Sequence, residues 1–232
     1  MPRSPRFPRA AAILTALAAL GATAGGCALF ELGAALAQSH EDQKLVEILP
    51  KYNDLNGRTV AVIVDAPLDV LYEHPTLVQT ITGGVTLRIA RDVENVRVVP
   101  PAQIVQWQWK NPDWASMPYG EIVDTIGVDR VIYVDIYEYR LNPPGNRWLW
   151  EGVCAATIGV IEKDSFDPDS FADTFDVSGA FPTVSGVDRS AATADQIQTG
   201  VLAEFIKRSA WLFHKHLEPK NPDRYRPELE GA

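Results

Sequence analysis

The chain has two cysteines, Cys27 and Cys154, among 232 residues. That scarcity excludes a disulfide-stapled scaffold and a thiolate zinc cluster. Basic residues are also in deficit, 21 against 30 acids, for a formal charge of -9. Nucleic acid and anionic lipid both reward a basic surface, so neither is an expected partner. After the first 30 residues no apolar stretch approaches the ~20 residues that a membrane-spanning helix needs. The sequence also lacks a Gly-x-Ser-x-Gly elbow, a His-Glu-x-x-His helix and a phosphate-cradling Gly-Lys loop. His40 and His74 are isolated, and His214 and His216 stand two apart, a spacing that points to different faces of a helix. No metal, no cofactor and no enzymatic activity are expected.

What the sequence does hold begins at its first residues. Arg3, Arg6 and Arg9 precede an apolar run over residues 10–24 with no acid among them. A basic start followed by a short apolar core is the pattern of a secretory signal. Ala24-Gly25-Gly26-Cys27 resembles a bacterial lipobox, in which small residues admit the processing enzymes and the cysteine sulfur takes up a diacylglycerol. Ala24 departs from that pattern, which usually carries leucine there. Two plain small-x-small sites, Ala22-Thr23-Ala24 and Ala35-Leu36-Ala37, compete as cleavage points. The expected product is lipidated at Cys27, anchored to a membrane of the cell envelope and facing the periplasm. Loss of the three arginines makes the mature chain more acidic still. Cys154 is left without a disulfide partner, and its apolar surroundings mark it as a buried thiol.

Four segments follow: a signal peptide over 1–26, a lipidated tether over 27–56, a folded domain over 57–218 and a polar tail over 219–232. Within the tether, residues 43–50 have the spacing of an amphipathic helical turn. The β-branched run at 59–65 predicts a strand buried on both faces. Pro75 opens a helix to Asp92 in which Leu77, Ile81, Val85 and Ile89 form one stripe. Gly83-Gly84 inside it points to close contact with a neighbouring strand, or to a kink. A short strand at 96–99, a helix at 102–109, an irregular segment at 111–119 and a helix at 120–126 capped by Gly127 come next. Strands at 130–139 and 148–161 flank the turn at 142–146 and predict an antiparallel hairpin. A weaker strand at 173–180 precedes a helix over 191–218, opened by the capping-box pair Thr193 and Gln196. The order predicts a mixed α/β fold: parallel early strands, an antiparallel hairpin, and helices packed on the sheet.

The lead-in Ile126-Gly127-Val128-Asp129-Arg130-Val131-Ile132-Tyr133-Val134-Asp135 resembles the Gly-Ala-Asp-aliphatic approach to the third strand in a superfold of envelope proteins. That superfold is shared by the CsgG-like proteins, the LpoB type of lipoprotein and the amino-terminal domain of TolB. The resemblance covers roughly residues 57 to 218, by element order more than by motif. It implies a non-catalytic role: binding envelope proteins, regulating cell-wall synthases or assembling secretion channels. The long amphipathic strands of the pore-forming members are absent, so a channel is not implied.

Three sets of side chains stand out. Trp107, Trp109 and Trp114 cluster after the second strand, and Trp148 and Trp150 follow the hairpin turn, where they are expected to share one strand face. They read either as cover for the sheet ends or as a patch for an envelope protein or a second copy, because aromatics anchor interfaces. Asp65 closes the first strand at a position where α/β folds bind ligands, which leaves an envelope hydrolase as the rival reading, against an Asx turn. Asp164, Asp167, Asp169, Asp173 and Asp176 are spaced acids, but the glycine and closing glutamate of a calcium loop are missing.

Overall fold

Residues 59–65 carry an apolar or β-branched side chain at nearly every position, and the chain buries them on both faces as the strand β2 (Thr59–Asp65). The computed structural model describes residues 44–220; the signal peptide, Cys27, most of the tether and all but the first residues of the tail lie outside the described residues. Two units are distinguished. In the smaller, β1 (Leu45–Ile48) pairs with β9 (His216–Pro219), and the amide of Lys220 donates to the carbonyl of Lys44 at 2.8 Å. Residues 43–50 therefore hold a strand rather than the expected helical turn.

The larger unit, Leu49–His216, is built on a five-stranded sheet ordered β3-β2-β4-β6-β7. Here β3 is Arg97–Val98, β4 Arg130–Arg140, β6 Gly152–Glu162 and β7 Asp173–Phe181. β2 runs parallel to β3 and β4, whereas β4–β6 and β6–β7 are antiparallel. The fold class is mixed α/β, as the element order predicts. A separate pair of two-residue strands, β5 (Leu149–Trp150) and β8 (Val187–Asp188), lies beside it.

One face of the sheet is covered by two long helices. After the short helix α1 (Leu68–Glu73), α2 (Leu77–Asp92) lays down its stripe of Leu77, Ile81, Val85 and Ile89, all buried with Val60, Val62 and Val64. Beside it lies α5 (Ala194–Trp211), opened by a complete capping box between Thr193 and Gln196. Burying a side chain such as Phe205 there contributes about 2 kcal/mol. The Gly84 contact is with α5 rather than with a strand: a Cβ at Gly84 would lie 2.5 Å from Ile206 Cδ1. At Gly179 of β7 a Cβ would lie 2.5 Å from the backbone nitrogen of Phe205, so only glycine lets the helix approach the strand.

The opposite face is covered by α3 (Pro101–Lys110), α4 (Tyr119–Ile126) and the 3-10 turn between them, whose Ile104, Trp114, Ile122 and Val123 pack on Ala61, Ile63, Val131 and Tyr133. These elements are short and cover only part of it. Toward the carboxyl end of β4 the face is open.

Candidate functional site

β2 is joined to β3 through α1 and α2 on one face, and β3 to β4 through α3 and α4 on the other. β3 and β4 lie on opposite sides of β2, so the direction of winding reverses between β2 and β4. The carboxyl ends of strands at such a reversal are where open α/β sheets bind ligands.

Register places four polar side chains in one row there. Asp65 of β2 pairs with Asp135 of β4, Asp135 with Thr157 of β6, and Thr157 with Asp176 of β7. Residues in lateral register project from the same face, and this is the face left open beyond α3 and α4. At ~4.8 Å between strands the row spans about 14 Å. Its neighbour one step inward is Ile63, Tyr133, Gly159 and Thr174, the first three covered by packing. Phe171 lies against Gly159, where a Cβ would come within 2.4 Å of its ring. Phe171 also stacks on Tyr119 at 4.4 Å, and Tyr119 and Trp114 flank Tyr133. This aromatic wall divides the covered half-face from the open one.

The row is electrically uncompensated. Asp65 accepts the Ala66 amide at 2.9 Å with one oxygen and the Tyr133 hydroxyl at 3.2 Å with the other; the amide belongs to the next residue, so this is not the expected Asx turn. Thr157 donates to Asp176 at 3.1 Å. Among the described residues no ion pair reaches Asp65, Asp135 or Asp176. Burial and then the charge of Asp65 raise the carboxyl of Asp135 above the usual range. Burial and the same charge raise the phenol of Tyr133. Such a row attracts cationic groups and hydrogen-bond donors. Among the described residues no group of three His, Cys, Asp or Glu gathers to hold a metal ion. Cys154 is buried, and burial alone pushes its thiol up.

The five tryptophans of the expected patch do not form one surface. Trp114 is buried, and Trp107 is half-buried with its ring 6.3 Å from that of Trp114. Trp109 is 80% exposed at the rim of an apolar groove of about 520 Å3 that Gln79, Ala102 and Val105 help to line. Trp148 and Trp150 do not share a strand face, because β5 begins only at Leu149. Trp150 is 3% exposed: its indole nitrogen donates to the carbonyl of Ala192 at 3.0 Å, and the Arg189 guanidinium lies 5.1 Å from its ring centre. Trp148 is 78% exposed.

At the opposite end of the sheet the Gly127-Val128-Asp129-Arg130 lead-in has a structural task. Gly127 adopts φ +79 and ends α4. Asp129 accepts the Thr59 amide at 2.7 Å, which holds its carboxyl below the usual range and fixes β4 beside β2. Arg130, 1% exposed, donates to the Tyr52 hydroxyl at 3.0 Å and to the carboxylates of Asp54 and Asp164. Tyr52 in turn donates to Glu162 at 2.6 Å. The spaced acids after residue 163 thus go to separate tasks: Asp164 to Arg130, Asp169 to the Gly120 amide at 3.0 Å, and Asp176 to the open row. In the sequence Asp65 stands out by its place at a strand end, whereas nothing local connects Asp135, Thr157 and Asp176 to it. The strands' two-residue period carries the signal that links them, but only once the register is known.

His214 and His216 meet edge to face, with ring centres 6.0 Å apart, and each has a further contact. His216 stacks flat on Trp211 at 4.3 Å, and His214 Nε2 lies 3.6 Å from Asp92.

No family model matches the chain, and no curated protein matches it by sequence. Solved structures of low identity are similar to it. The PelC dodecamer from Paraburkholderia phytofirmans is 10% identical, with 74% of this chain and 97% of that one covered and a TM-score of 0.43. Lipoprotein GNA1162 from Neisseria meningitidis is 11% identical, with 62% and 92% covered and a TM-score of 0.40. The hypothetical protein CT253 from Chlamydia trachomatis is 12% identical, with 66% and 97% covered and a TM-score of 0.37.

Proposed function

We propose that the chain is a bacterial envelope lipoprotein, anchored through Cys27 and facing the periplasm, that acts as a non-catalytic binding or assembly module. The observation that carries the binding role is the open half-face with its row of Asp65, Asp135, Thr157 and Asp176. A charged row laid across four strands suits capture of another macromolecule, whereas small substrates are held in concave sites that bury most of their surface. Asp65 has both oxygens occupied within the domain, by the Ala66 amide and by the Tyr133 hydroxyl of the neighbouring strand. The anchor rests on the basic start, the apolar run and Gly25-Gly26-Cys27. The finer likeness to CsgG-like, LpoB-type and TolB amino-terminal domains belongs to this proposal and rests on the lead-in at Gly127 to Arg130. Cys27→Ala is expected to move the protein from the membrane to the soluble fraction; unchanged membrane association would remove the anchor.

One observation favours the rival hydrolase: Asp135 has a raised pKa beside Asp65 at the reversal point. Hydrolysis of envelope substrates by the purified protein, abolished in Asp135→Asn, would establish that reading in place of the binding role.

A further inference from the structure

The open row has a counterpart on the same molecule. The turn between β4 and β5 carries Arg147 and Trp148, both exposed, and residues 141–150 contain no acid. Arg147 makes no ion pair among the described residues. The turn is held in place. The Asn142 amide donates to the carbonyl of Leu149 at 2.6 Å, Asn146 accepts the Trp148 amide at 2.9 Å, and the Asn146 amide donates to Pro143 at 3.1 Å. Arg189 braces it from behind, donating to the carbonyls of Arg147 at 3.1 Å and Trp148 at 2.9 Å. A tryptophan and an arginine presented on a hydrogen-bonded turn are an interface anchor whose ordering has already occurred on folding.

We infer that the acidic row of one copy receives the Arg147–Trp148 turn of a second copy. Three carboxylates without cations face a cationic turn without acids, so the charges are complementary. Tyr137 stands two residues beyond Asp135, at the bulge of β4, and is 57% exposed. It offers the incoming guanidinium and indole an aromatic surface. The two surfaces are different parts of one chain, so each copy offers both halves of the contact: a two-fold pair makes it twice, and head-to-tail repetition closes a ring or extends a filament. The inference deepens the assembly half of the function above and is independent of the anchor. Arg147→Glu leaves membrane fractionation unchanged, and Cys27→Ala leaves self-association unchanged.

The test is sedimentation of the full chain in a mild detergent whose density the solvent matches. The wild type sediments as a multiple of one chain, and added salt weakens the assembly. Asp135→Lys and Arg147→Glu each place like charges across the contact and shift assembly to about 100-fold higher concentration. An equimolar mixture of the two variants restores it, because every junction between unlike copies again pairs opposite charges. Trp148→Ala weakens assembly without altering the far-UV circular dichroism. A wild type that sediments as one chain at every concentration would overturn the inference and assign the row to another protein. Assembly that persists in the single variants, or that fails to return in the mixture, would overturn it equally.

Discussion

Arg130→Met tests the clasp at the amino-terminal end of β4. Arg130 is 1% exposed and donates to Tyr52, to the carbonyl of Asp129, and to the carboxylates of Asp54 and Asp164. Methionine fills much of the volume and supplies none of these bonds. Removing one partner of a buried pair costs about 3–5 kcal/mol where the charge left behind stays buried. Here the side chains of Asp54 and Asp164 are roughly half exposed and recover water, while Glu162 keeps its bond from Tyr52. The expected loss is therefore at the low end, about 3 kcal/mol. For a domain of this size that is about 6–12 °C in Tm. Urea titration followed by tryptophan fluorescence measures it. Arg130→Lys should fall between the two, since an ammonium reaches one carboxylate but cannot fork between several.

The pH dependence follows from Asp164. The bond from Arg130 holds its carboxyl below the usual range. A group with a depressed folded pKa stabilises the fold above its unfolded value, about 3.9, and loses that contribution as pH falls through the folded value. The gap between wild type and Arg130→Met should be widest near neutrality and narrow below about pH 4. A neutral-pH difference under about 0.5 kcal/mol would refute the reasoning, because that is the range of ordinary surface changes.

Two further outcomes are expected. Trp150→Ala should destabilise by about 3–5 kcal/mol, as truncation of a buried aromatic does, whereas Trp148→Ala should change stability by no more than about 0.5 kcal/mol; equal effects in denaturation would contradict the two environments. Asp65→Asn removes the charge that helps to raise Asp135, so the Asp135 pKa, read from its carboxyl carbon shift, should move down toward the ordinary range.

Much of this architecture is written locally. The run at 59–65, the stripe from Leu77 to Ile89, the Gly127 cap and the Thr193–Gln196 capping box each depend on neighbours within a few residues, and each stands where the pattern places it. What local pattern misses is pairing across long separations. Residues 43–50 have helical spacing, yet Leu45–Ile48 takes its hydrogen bonds from β9, about 170 residues later. The helical pattern at 191–218 stops at Trp211, and the carbonyl of Leu212 accepts the amide of Tyr52 instead. Trp148 and Trp150 differ because β5 begins between them, at Leu149. The row of acids has the same origin: Asp65 and Asp176 are 111 positions apart in sequence and fall into one lateral row only through the two intervening strands.

The Tyr52 clasp has a mechanical consequence. A lipid at Cys27 would fix the amino terminus to the membrane, and drag that passed the β1–β9 pair would enter the larger unit through the segment that carries Tyr52. Its hydroxyl is held by Glu162 and Arg130, and its amide by Leu212. Leu55, fully buried, follows three residues later. Tension would be taken up at the foot of β4 and β6 and at the end of α5 before it reached β2. The clasp would act as a strain relief for the strand that forms one wall of the acidic row, so that the binding surface keeps its shape while the tether is under load.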